Sequence, residues 1–286
     1  MIICIAGPSG IGKTKMSVEL AKKYNAIVVN ADATQIYKEL NIGSAKITEE
    51  EKEGIPHFLF DIKSPDEDYS VSDYQKDARK ILDDNKDKNI IVIGGTGLYI
   101  KSLFYDYKFK EFENKNDYEE LSNKELYEKV KELDPNTDIH ENNRVRMISF
   151  LNRDGINYKT DKELYDVIYI GLTTDRDNLY NILDKRVDKM LDMGLLEETK
   201  TLFNKYPNSN ILKRAIGYKE LKDYLDGNAS LEDSLDLIKK NTRHYAKRQY
   251  TWFNNQMHIT WFDVNINNFN ETVLEVTNYI DSLNSK

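Results

Sequence analysis

Short unbroken apolar runs alternate with stretches in which apolar residues return every three or four positions. Residues 1–6 (MIICIA), 26–30 (AIVVN) and 90–93 (IIVI) are too short for helices and apolar on successive positions. Such runs suit strands covered on both faces, as in a parallel sheet. Met16, Leu20 and Ala21 share one face of a helix predicted over 15–24, and 71–82 predicts a second helix, opened by Ser70 and Ser72. Strand, helix, strand, helix, strand is the order of a parallel α/β sheet with right-handed crossovers.

Beyond Phe104 the texture changes. Residues 111–132 are highly charged and predict a helix with a thin apolar stripe of Leu121, Leu126, Val130 and Leu133, and helical character continues to about residue 162. Residues 167–172 (VIYIGL) return to buried-strand character. Residues 105–164 therefore read as a mostly helical insertion into an α/β domain made of 1–104 and 165–286. Residues 179–205 and 231–253 predict long helices, and 258–262 (HITWF) a last strand.

Composition narrows the class. The chain has 286 residues, 40% hydrophobic and 31% charged, enough for a large folded core. Cys4 is its single cysteine, which excludes an intrachain disulfide and a cysteine-rich zinc module and fits a reducing cytoplasm. No apolar run reaches the length of a membrane span. The chain opens directly into a strand, so no leader peptide is expected. A net charge of −8 argues against nucleic-acid binding on totals alone. Distribution matters more: 104–141 is rich in Asp and Glu, whereas 239–252 holds five Lys or Arg and no acid.

Between the first strand and the first helix lies Gly7-Pro8-Ser9-Gly10-Ile11-Gly12-Lys13-Thr14, a full G-x-x-x-x-G-K-[ST] match. Its backbone N–H groups and the helix N-terminus suit an anion. Lys13 adds a point charge for phosphate oxygens and Thr14 a hydroxyl for Mg²⁺. The expectation is a P-loop NTPase-like parallel sheet flanked by helices. The loop leaves open whether it holds a nucleoside triphosphate or a diphosphate leaving group.

Asp32 follows the second strand, where neighbouring strand ends share a crevice with the loop. It suits a general base or an outer-shell Mg²⁺ ligand, and equally a cap on a helix after it. Gly94-Gly95-Thr96-Gly97 closes the third strand in the same crevice. There a hydroxyl could meet a substrate, or the glycines could simply form a tight turn. No acid ends a strand in the Walker-B manner, which counts against an ordinary ATPase. Lys239, Arg243 and Lys247 recur at i, i+4 along a helix interleaved with aromatics, one cationic face suited to a nucleic-acid backbone if no acid pairs with it.

In order along the chain, GPSGIGKT (7–14), D-x-x-Q-x-Y (32–37), IGSAK (42–46), PHFLFD (56–61), YSVSDY (69–74), GGTGLY (94–99), RVDKMLDMGLLEE (186–198), RAIGYKE (214–220) and TRHYAKRQYTWF (242–253) resemble the tRNA dimethylallyltransferases of bacterial type. That resemblance implies that N6 of the adenosine 3′ of the anticodon attacks C1 of dimethylallyl diphosphate, without ATP cleavage. It implies that Gly7 to Thr14 and Arg214 hold the diphosphate, with Mg²⁺ near Thr14, and that Asp32, Thr96 and Lys13 serve catalysis. Asp32, Ala33, Thr34, Gln35, Lys46, Arg243, Lys247 and Arg248 would contact the tRNA anticodon stem-loop, which the insertion would clasp. A cytoplasmic, monomeric enzyme without an obligate protein partner or membrane is expected.

Three positions depart from the family pattern. Ala33 stands where a serine is usual, Ile47 where a proline is usual, and 142–150 (NNRVRMISF) follows the usual R-x-x-R-A-L-E only loosely. Two rival readings are a P-loop kinase of a small metabolite and a non-catalytic RNA-binding module. The first predicts ATP turnover and an arginine-rich lid. The second gives no reason for Asp32 and Thr96 to share a crevice.

Overall fold

A computed structural model describes residues 1–109, 118, 120–152 and 162–284. Chain order begins β1 (Ile2–Ala6), α1 (Lys13–Tyr24), β2 (Ala26–Asn30), α2 (Glu49–Lys52), β3 (His57–Phe58), α3 (Val71–Asp84), β4 (Asn89–Gly94) and α4 (Gly97–Phe104). It continues with α5 (Asn123–Leu133), α6 (Arg144–Leu151), β5 (Val167–Thr173), α7 (Arg176–Asp192), α8 (Leu195–Lys205), α9 (Tyr218–Leu225), α10 (Leu231–Gln256), β6 (Thr260–Asp263) and α11 (Phe269–Asn284). Among the described residues no helix is long and apolar enough to cross a membrane.

The chain divides into two compact units, 1–104 with 165–286, and 105–164. In the first, six strands in the order β3-β2-β4-β1-β5-β6 pair in parallel throughout. This is the expected α/β sheet. Ile3, Cys4 and Ile5 pair with Ile91, Val92 and Ile93 on one side and Ile168, Tyr169 and Ile170 on the other. Most of these central side chains are fully buried, because helices cover both faces. Each buried aliphatic side chain contributes about 1.5–3 kcal/mol relative to exposure. The strand order places the carboxyl ends of β1, β2 and β4 side by side, so the loops after them converge on one crevice.

The second unit has a small core of Leu126, Val130, Ile139, Met147, Phe150 and Leu151 between α5 and α6. The Arg144 guanidinium donates to the Leu121 and Tyr118 carbonyls at 2.5 and 2.7 Å.

Four sequence expectations need correction. The helix expected over 111–132 begins at Asn123, because Ser122 caps it in a box with Glu125; residues 111–117 and 119 lie outside the described set, as does the helical reading of 153–161. Leu133, expected in the buried stripe, is 52% exposed. The helix expected over 179–205 is two helices parted at Gly194, whose φ of 99° is left-handed backbone that an L side chain resists. The last strand is displaced two residues, to Thr260–Asp263. Smaller shifts also occur: Ser70 alone caps α3, with Asp73, and Ser72 lies inside the helix.

Candidate active site

The segment after β1 turns sharply back before α1. Gly7, Gly10 and Gly12 all have positive φ, and Cβ atoms at Gly7 and Gly12 would lie 2.7 Å from the Leu172 carbonyl and 2.5 Å from the Phe269 ring. Only glycine lets the chain curl this tightly. Ile11 anchors the loop in the core at 2% exposure, leaving the backbone of its neighbours to line the crevice. The Lys13 ammonium folds under the loop and donates to the Pro8 carbonyl at 2.7 Å. Burial lowers its pKa to about 7, although the Asp32 carboxylate favours the charge; nearby Arg186 lowers it further. A cation held so weakly charged is poised to gain its proton when an anion arrives.

Asp32 is fixed from behind. Asn30 accepts the Asp32 N–H at 2.9 Å and donates to the carbonyls of Asp32 and Leu59 at 3.0 and 2.9 Å. One Asp32 carboxylate oxygen accepts the Thr34 N–H at 2.9 Å. Residues 33–36 are a turn, so Asp32 caps an Asx turn and not the helix considered above.

The loop after β4 is sewn to the same turn. Gly94 packs so tightly on Ala31 that a Cβ there would be 2.2 Å from the Ala31 carbonyl oxygen. The Thr96 hydroxyl accepts the Ala33 N–H at 3.0 Å. Gln249, buried at 4% exposure on α10, spans the two glycine loops: its carbonyl accepts the Ser9 N–H at 3.1 Å, and its amide donates to the Gly95 carbonyl at 2.9 Å. The Tyr245 hydroxyl, one turn away, lies near the Thr96 and Gln249 side chains. Burial and the Asp32 charge push its pKa up to about 12, so it stays a neutral phenol.

Two cavities meet here. The larger, about 660 Å³, is lined by Lys13, Thr14, Asp32, Gln35 and Arg186 among others. The smaller, about 320 Å³, is lined by Thr34, Asp32, Arg186, Arg214, Tyr245 and Arg248 among others. Asp32, Arg186, Ser9 and Ser44 line both. Arg186 lies under the loop, where burial lowers its pKa and the Asp32 carboxylate offsets part of that effect. A half-buried guanidinium in the same crevice as Lys13 suits the site to an anion.

The sequence-predicted residues divide accordingly. Ser9, Gly10, Gly12, Lys13, Thr14, Asp32, Thr34 and Gln35 line the two cavities, whereas Gly7, Pro8, Ile11, Ala33 and Thr96 line neither. Arg214, expected at the diphosphate, lines the smaller cavity with Asp32 and Arg186, whereas Lys13 and Thr14 line the larger. The Lys46 ammonium is 5% exposed and engaged by the Tyr37 carbonyl, Asn41 and Asp61. The basic helix needs a correction, since two of its cations do have acidic partners. Arg243 pairs with Asp184 at 2.6 Å and Lys239 with Asp188 at 2.6 Å, both acids on α7 and far off in sequence. Lys247 is exposed, and Arg248 lies over the Tyr245 ring, 5.6 Å from its centroid. Arg186, Tyr245 and Gln249 are functional candidates that residue-by-residue reading missed. Each lies inside a recognised segment, but nothing local marks it as inward-facing.

Among the described residues no group of three His, Cys, Asp or Glu is placed to hold a metal. Thr14 lines the larger cavity beside Lys13, and Ser9, Ser17 and Ser44 are further hydroxyl-bearing residues of that lining. This donor set fits Mg²⁺ bound chiefly through substrate phosphate oxygens, with one protein oxygen.

The family described as IPP transferase matches residues 35–256. The chain is 43% identical over 298 residues to a tRNA dimethylallyltransferase of Anoxybacillus flavithermus, covering 98% of this chain and 96% of that one. It is 40% identical over 301 residues to a tRNA dimethylallyltransferase of Bacillus anthracis, covering 98% and 95%. Among solved structures, the full-length tRNA isopentenylpyrophosphate transferase of Bacillus halodurans is similar with a TM-score of 0.78 and 38% identity, covering 98% and 95%. A eukaryotic dimethylallyltransferase acting on tRNA is similar with a TM-score of 0.79 and 28% identity, covering 92% and 73%.

Proposed function

The chain belongs to the IPP transferase family, and from that premise we propose how its own residues carry out tRNA prenylation. It is a tRNA dimethylallyltransferase: a dimethylallyl group passes from dimethylallyl diphosphate to a tRNA adenosine. The acceptor in this reading is N6 of the adenosine 3′ of the anticodon. N6 forms a bond to C1 of the donor, the C1–O bond breaks with its electrons going to diphosphate, and N6 loses a proton.

The observation that carries the mechanism is that Asp32 lines both cavities beside Lys13 and Arg186. Diphosphate would occupy the glycine loop, with its charge met by Lys13, Arg186 and the loop N–H groups. The acceptor base, extruded from its stack, would enter from the side of Thr34, Tyr245 and Arg248. Asp32 would then take the N6 proton as the bond forms, help worth about 10²–10⁴ in rate. An arylamine is a poor nucleophile until that proton moves. Thr96, tied to Ala33, would hold the wall between the two substrates. Thr14 and the diphosphate oxygens would hold Mg²⁺, which when bound neutralises charge on the departing diphosphate.

Arg214 and Arg248 would contact the tRNA at the smaller cavity and Lys247 its backbone, while the 105–164 unit would clasp the anticodon stem. A cytoplasmic location follows from that substrate and accords with a lone, buried Cys4 thiol. The test is product analysis with dimethylallyl diphosphate, Mg²⁺ and unmodified tRNA, with ATP hydrolysis followed in parallel. An adenosine gaining one dimethylallyl group with ATP untouched supports the reading. ATP consumed with no modified adenosine would make the chain a kinase.

A further inference from the structure

Glu198 on α8 gathers three consecutive backbone amides. Its carboxylate accepts from Asn41 at 3.2 Å, from Ile42 at 2.8 and 3.0 Å, and from Gly43 at 3.1 Å. The Tyr218 hydroxyl donates to the same carboxylate at 2.7 Å. Tyr218 is fully buried, and its ring lies so close under Gly43 that a Cβ there would be 2.5 Å away. The turn of residues 41–45 is thus held by an anion in a nest of N–H groups and by a ring that admits only glycine. Beyond the clamp the backbone is strained: Ala45 has a φ of +45°, left-handed for a residue with a side chain.

The other side of this turn faces the cavities. The carbonyls of Ser44 and Ala45 accept the Gln35 side-chain amide at 3.0 and 3.3 Å. Two carbonyl acceptors fix which end of the Gln35 amide is the NH₂ group, since a flipped amide would set oxygen against oxygen. Gln35 lines the larger cavity, and Ser44 lines both. With its NH₂ group engaged by the turn, Gln35 presents its carbonyl oxygen, an acceptor, to a substrate.

We infer that Glu198, with Tyr218, is a positioning residue for substrate recognition: it holds the 41–45 turn so that Gln35 presents an acceptor, selecting a nucleobase that carries an N–H donor. The inference rests on the prenyl-transfer reading but reaches residues that touch neither substrate. A carboxylate at 198 accepts from every side, whereas an isosteric carboxamide would turn an NH₂ group against the N–H groups it now receives. The turn would relax, and Gln35 would lose its fixed orientation.

The test is a double-mutant cycle on tRNA modification kinetics with Glu198→Gln, Gln35→Met and the pair. Wild-type modification and a weakened Gln35→Met establish the reaction and the contact independently of the cycle. Glu198→Gln is expected to raise KM for tRNA about tenfold, with KM for dimethylallyl diphosphate unchanged within twofold. The double variant should be no worse than Gln35→Met alone. Effects that multiply in the double variant, or a Gln35→Met enzyme with wild-type kinetics, would overturn the inference. If Glu198→Gln does not fold, Tyr218→Phe takes its place in the cycle. It removes one donor to the carboxylate and keeps the buried ring, and the same non-additivity with Gln35→Met is expected.

Discussion

The Thr96 hydroxyl lies 3.0 Å from the Ala33 nitrogen and accepts its N–H, tying the loop after β4 to the loop after β2, next to Asp32, which lines both cavities. Related enzymes usually carry a serine where this chain has Ala33. The tie runs through the backbone of that position, so the missing hydroxyl leaves it intact.

Removing the acceptor should therefore be costly where adding a hydroxyl is not. Thr96→Val keeps the shape and strands the Ala33 N–H, a loss of about 1–3 kcal/mol, or roughly 5- to 150-fold in kcat/KM for tRNA. Thr96→Ser should restore most of it and Ala33→Ser should change it little. Steady-state kinetics of the three variants check this, and a fully active Thr96→Val would deny the tie any role.

The weakly held proton on Lys13 makes diphosphate binding depend on pH. Below about pH 7 the ammonium is charged in the free protein, and binding takes up no proton through it. Above that pH the free amine is neutral, and a bound anion restores its charge. Binding then takes up toward one proton, and affinity falls by as much as about tenfold per pH unit. Calorimetric titration with diphosphate at pH 8, in buffers of different ionisation enthalpy, should reveal an uptake that Lys13→Met abolishes. An equal uptake in that variant would assign the proton to the ligand.

Arg186 carries a charge that burial opposes in the free protein. Arg186→Gln should leave the free protein about as stable, since it removes a half-buried charge that Asp32 only partly offsets. The same change should weaken diphosphate binding about 100-fold or more. Thermal melts with and without diphosphate separate the effects, because a ligand that binds only the folded state raises the melting temperature. A variant stabilised by diphosphate as strongly as the wild type would remove Arg186 from the anion site.

On α10 the cations should divide by partner. Arg243 is paired with Asp184, so Arg243→Ala should lower stability by up to about 1 kcal/mol and leave tRNA affinity nearly unchanged. Lys247 is exposed, and Lys247→Glu should weaken tRNA binding and reduce its salt slope by about one. Binding measured across salt concentrations distinguishes them; a flattened slope in Arg243→Ala would return that residue to the RNA face.

These divisions mark how far the sequence could be read. Buried strands were legible because both-face burial writes itself as unbroken apolar runs, and the glycine loop because its conformation demands glycine at set spacings. The break at Gly194 was not, since apolar periodicity runs on through it. The pairing of Arg243 was hidden for a different reason: Asp184 lies 59 residues away and meets it only through helix packing. Gln249 and Tyr245 sit in a stretch whose charge draws attention outward, yet they face inward. In the sequence Glu198 is the second of two adjacent acids in a predicted helix, with nothing local to mark it. Only the fold brings three backbone amides to it.

The claim on which the mechanism rests is that Asp32 takes the N6 proton, and single-turnover modification by Asp32→Asn tests it most directly. With tRNA and dimethylallyl diphosphate prebound, the chemical step should slow by about 10²–10⁴ while both binding constants stay within a few-fold, because asparagine keeps the acceptor for Thr34 and loses the base. A chemical step near the wild-type rate, with binding intact, would contradict it and leave Asp32 a turn-forming residue.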